Sequence, residues 1–146
     1  MSNIGNLRGL GTLQFTPDNK HAFAYSGDVP VANGDGNVTV LELSNNSEYL
    51  KAKIMYYSGY EPLSTANWYW YTYLNDYRIS GNVTREPYHD GGGGPNIQEL
   101  IIPPFSTIKI TGANGEVASD INCSVIMIAE VKGPIEQFNL ERIENE

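Results

Sequence analysis

The sequence predicts an all-β protein, an antiparallel sandwich, and three observations carry that reading. Apolar and polar residues alternate with a period of two in one stretch after another. Clusters of Gly, Asn, Asp and Pro separate those stretches at intervals of about ten residues. No window of helical length places apolar residues at a helical period.

The elements follow in chain order. Residues 1–20 are punctuated by Gly and Asn and read as an N-terminal arm or edge strand, with a strand candidate at Thr12 to Phe15. His21 to Ser26 alternates weakly, and Asn33-Gly34-Asp35-Gly36-Asn37 supplies the positive-φ residues of a turn. Val38 to Leu43 is a strand with Val38, Val40 and Glu42 on one side and Thr39, Leu41 and Leu43 on the other. Tyr49 to Tyr57 sets Leu50, Ala52, Ile54 and Tyr56 against Lys51, Lys53, Met55 and Tyr57. Asn67 to Leu74 is rich in Trp, Tyr and Thr, which favour strands. Asn75-Asp76 turns it into Tyr77 to Ser80, and a long loop runs from Gly81 to Pro95.

Asn96 to Gly112 is the most informative stretch. Its apolar run Leu100-Ile101-Ile102 ends at Pro103-Pro104, and an alternating strand with Ser106, Ile108 and Ile110 on one face begins at once. Proline cannot donate to a sheet ladder and holds its predecessor extended, so the pair marks a corner between strands. A last strand runs from Ile121 to Lys132. The domain is therefore a sandwich over 21–133, a jelly roll in preference to an immunoglobulin-like topology, followed by an acidic tail over 134–146.

Composition narrows the function classes. A net charge of −8 with only nine scattered Lys and Arg excludes phosphate-backbone binding and disfavours anionic lipid. No stretch approaches the roughly 18 apolar residues of a membrane-spanning helix. The opening residues lack a signal-peptide core, so synthesis in a cytoplasm is expected and the four Asn-x-Ser/Thr triplets read as accidents of composition. The single cysteine, Cys123, excludes an intrachain disulfide and lies in a strand-like run as a buried thiol.

Catalytic sets are missing. His21 and His89-Asp90 fall short of the three spaced ligands of a catalytic zinc site, and there is no Gly-x-Ser-x-Gly elbow. Gly91 to Gly94 is followed by Pro95 and a strand, not by the helix a phosphate cradle needs. The run from Asn33 has Val38 and Ser44 where a calcium loop requires Gly and Glu, so it reads as a plain turn. No cofactor and no metal are expected, and the chain is not read as an enzyme.

The aromatic stretch is the leading binding candidate. Trp68, Tyr69, Trp70, Tyr71 and Tyr73 fall within eight residues, and alternation must turn about half of them away from the core. They read as core and cross-strand partners, as a subunit interface, or as a platform stacking on sugar rings. In the tail, Phe138 and Ile143 suit a segment docked on a neighbouring subunit, since a lone terminal helix would leave them exposed.

From Leu100 to Gly112 the chain resembles small β-sandwich structural proteins of tailed phages and other icosahedral viruses. In these, an apolar run, a Pro-Pro corner and a Ser/Thr-rich strand come late. The likeness extends over Val38 to Gly133, through the hairpin ending Leu74-Asn75-Asp76 and the closing Val131-Lys132-Gly133. It implies a penton, minor capsid, decoration or spike-base protein of the virion, without catalytic residues. Its partners would be further copies of itself and other virion proteins. The acidic balance favours an outer position, away from the genome. The alternative is a carbohydrate- or receptor-binding module that uses Tyr69, Tyr71 and their neighbours on a host-surface glycan.

Overall fold

The computed structural model describes residues 13–32, 34–58, 67–85, 96–114 and 121–134. Among them are ten strands and no helix: β1 (Gln14–Phe15), β2 (His21–Tyr25), β3 (Val29–Val31), β4 (Val38–Ser44), β5 (Glu48–Ser58), β6 (Asn67–Leu74), β7 (Tyr77–Arg85), β8 (Asn96–Ile102), β9 (Thr107–Asn114) and β10 (Ile121–Pro134). One sheet, the outer sheet below, has the order β1-β2-β10-β5-β8, with β3 also paired to β10. The second, the hairpin sheet, has the order β4-β9-β6-β7. The pairings are antiparallel. From β3 onward each connection passes from one sheet to the other, except the β6–β7 hairpin.

The two sheets face each other across one core. Leu50, Ala52, Ile54 and Tyr56 of β5 and Val125, Met127 and Ala129 of β10 meet Leu41, Trp70, Ile108 and Ile110 of the hairpin sheet. These are the inward positions that alternation assigns to β5 and β9. A polar link also crosses the core. Tyr56 Oη lies 2.8 Å from Thr72 Oγ1 and donates to Gln98 Oε1 at 2.6 Å, and the Ser80 hydroxyl donates to the same Gln98 oxygen. It joins β5 and β8 of one sheet to β6 and β7 of the other.

The Pro-Pro corner carries the chain from β8 in the outer sheet to β9 in the hairpin sheet. It stacks on the Asn45-Asn46-Ser47 turn, where the chain crosses the other way. The buried Asn45 side chain donates to the carbonyls of Glu48 and Pro103, and its N–H donates to Ser106 O at 2.8 Å. Phe105 N–H donates to Asn46 O at 2.7 Å. At the neighbouring hairpin, Asn75 and Asp76 both have positive φ (49° and 69°), the geometry of a two-residue type I′ turn. The Asn75 carboxamide oxygen then accepts the N–H of Thr107.

Three elements depart from the sequence reading. β7 continues through Gly81 to Arg85 instead of ending at Ser80, because Gly81 lies opposite Tyr71. A Cβ there would sit 3.1 Å from the tyrosine ring, so this glycine serves a close cross-strand approach and not a loop. Strict alternation in β4 fails at a bulge between Thr39 and Leu41, which buries Val40 and Leu41 together. Val29–Val31 forms a strand despite Pro30, since β3 pairs only with the end of β10.

Candidate functional site

β6 divides its aromatic residues between two environments. Trp68 (5% exposed) and Trp70 (1%) belong to the core, with their rings 5.6 Å apart and Trp70 5.2 Å from Tyr56. They are therefore core residues and do not form the binding surface expected of them. Tyr69, Tyr71 and Tyr73 alternate onto the outer side of the hairpin sheet and are half-buried. Arg78 lies over the Tyr71 ring and Lys109 over the Tyr73 ring, each 4.9 Å from the centroid. Cation–π contact with the chain's own side chains thus occupies two of the three rings. Phe138, Ile143, His89-Asp90 and Gly91 to Gly94 lie outside the described residues.

The opposite side of the molecule carries a feature that the sequence reading missed. On the outward face of the outer sheet, the ladder registers place residues in rows across four strands. One row is Tyr25–Ile126–Met55–Ile97, and the next is Phe23–Ile128–Lys53–Glu99. A third is His21–Glu130–Lys51–Ile101. Eight large hydrophobic residues are well exposed among the described residues, and five of them lie on this face: Tyr25, Tyr57, Ile97, Ile101 and Ile128. Contiguous apolar surface of this kind, bordered by charge, is what interaction sites expose. The signal was present in Met55, Ile97, Ile126 and Ile128 at outward positions of strands. It emerges only when register aligns residues far apart in sequence.

Charge borders the apolar row on one side. Glu130 lies 3.1 Å from Lys132 Nζ. That hydrogen bond, followed by the charges of Lys132, Lys51 and His21, holds its carboxyl below the usual carboxylate range. His21, Lys51, Lys53, Glu99 and Glu130 line a shallow depression that has no serine or cysteine in its wall. Cys123 is buried on the other side of β10, where desolvation and then the Asp28 charge push its thiol up to about 12. A thiol so placed is a poor nucleophile. Asp35 accepts the N–H of Ala32 and returns its own N–H to Ala32 O, the closed turn expected at that position. Among the described residues no three His, Cys, Asp or Glu side chains gather into a metal-binding group.

No family model and no curated protein matches this chain. Fold and surface together define its class as a two-sheet antiparallel β-sandwich with a broad apolar face on one sheet and a cation-capped tyrosine ladder on the other.

Proposed function

We propose that the protein is a non-enzymatic structural subunit of a virion that assembles into a symmetric homo-oligomer. The observation that carries this reading is the exposed apolar row spanning four strands of the outer sheet. A monomer would leave that surface in water, whereas a subunit covers it. The strand order supports a jelly roll: two four-stranded units, β2-β10-β5-β8 and β4-β9-β6-β7, are joined by crossing connections. That architecture serves viral capsid and lectin domains alike. A charge of −8 suits a position away from the genome.

A glycan-binding module is the second reading, favoured by the outward alignment of Tyr69, Tyr71 and Tyr73 on one strand. Light scattering on the intact chain over a wide concentration range tests the first reading. A mass at a fixed multiple of 16.1 kDa supports it, and 16.1 kDa at every concentration refutes it. A monomer whose tyrosine fluorescence responds to added oligosaccharide would transfer the assignment to the second reading.

A further inference from the structure

We propose that the outward face of the outer sheet docks on the same face of a second copy, about a two-fold axis parallel to β5 and β10 and midway between them. The proposal rests on the homo-oligomer reading above and names the surface and the geometry that would realise it.

Charge selects the occupant. Two copies each carrying −8 repel one another unless they meet where charge is balanced. Lys51, Lys53 and Lys132 lie on this face against Asp28, Glu99 and Glu130, so three positive and three negative charges balance. A third of the chain's nine Lys and Arg are thus gathered on the one surface that is also most apolar. A face of mixed sign is complementary to itself, whereas a strongly basic or acidic partner would gain little from it.

The rows then fix the axis. A two-fold parallel to the strands leaves each row facing its own copy with the strand order reversed. β10 then opposes β5 of the second copy, and β2 opposes its β8. In the first row Ile126 meets Met55 of the second copy, and Tyr25 meets its Ile97. In the third row Glu130 meets Lys51 of the second copy. Each contact occurs twice, as an isologous interface requires. Five residues of β2, nine each of β10 and β5, and seven of β8, each covering about 4.8 by 3.3 Å, give a face on the order of 480 Å² in projection. Two such faces come to about 950 Å², close to the roughly 1,000 Å² asked of a specific interface.

Lys51→Glu and Glu130→Lys provide the test, because both positions are exposed and neither side chain supports the core. Each variant alone sets like charges opposite each other across the axis, and light scattering should show a two-fold loss of mass relative to the wild type. An equimolar mixture of the two should regain the wild-type mass, since every opposed pair is then of opposite sign. Effects within one chain are not rescued by mixing, so recovery is specific to contact between copies. Single variants that keep the wild-type mass overturn this face while leaving the oligomer reading intact. A folded mixture that stays at half mass does the same. Loss of assembly only on truncation after Gly133 would assign the contact to the tail and overturn the proposal. A monomeric wild type would overturn both readings.

Discussion

Tyr56→Phe removes one oxygen from the hydroxyl and carboxamide link between the sheets. The phenol is 2% exposed, and its ring stays packed against Trp70, so the substitution opens no cavity. Two hydrogen bonds are lost, to Thr72 and to Gln98. Gln98 keeps the Ser80 hydroxyl at 3.1 Å, whereas Thr72, 1% exposed, loses its Tyr56 partner in the dry interior. At about 1 kcal/mol net for each bond, with an added desolvation cost for the stranded hydroxyl, the loss comes to about 2–3 kcal/mol. Urea unfolding followed by the emission of Trp68 and Trp70 reads this as a lower midpoint at unchanged slope. Thermal unfolding should drop by about 4–10 °C. Thr72→Val made on its own leaves the phenol bonded to Gln98, and the double variant leaves no hydroxyl stranded, so its cost should fall short of the sum of the two singles. A Tyr56→Phe variant within about 0.5 kcal/mol of the wild type, or strict additivity with Thr72→Val, would refute the reasoning.

Two further outcomes follow from the core. Gly112→Ala places a methyl group 3.0 Å from the Trp68 ring and 3.4 Å from both Trp70 and Val40, and should cost about 1–3 kcal/mol in the same urea assay. Cys123 supplies an alkaline limit. Burial and then the Asp28 charge raise its thiol from 9.0 to about 12, so the folded state favours the neutral form. The unfolded chain therefore releases this proton first. Stability from this group is complete below pH 9 and is lost as pH rises towards 12, so Cys123→Ala should flatten the fall of the unfolding midpoint over that window.

Much of the fold was legible because period-two alternation leaves little freedom once one face is buried. β5 showed this best: Leu50, Ala52, Ile54 and Tyr56 are the buried set that alternation assigns to it. The Pro103-Pro104 corner and the Asn75-Asp76 turn were equally readable, because proline and positive-φ residues act locally. What stayed hidden was whatever depends on a neighbouring strand. Gly81 looks like a loop residue until Tyr71 is placed across from it, and the β4 bulge appears only against β9. The aromatic cluster misled for a related reason. Five large rings close in sequence attract attention, yet strand geometry sends the two tryptophans inward and gives two of the tyrosines cations from β7 and β9. The apolar row is built from four strands and leaves no local mark on any of them.

The proposed assembly runs through the outer sheet and not through the aromatic strand. Ile126→Lys and Tyr71→Ser test it side by side, each altering the middle of one outward face. Light scattering should give half the wild-type mass for Ile126→Lys and an unchanged mass for Tyr71→Ser. An unchanged mass for Ile126→Lys together with loss of assembly in Tyr71→Ser would contradict the account and return the interface to β6.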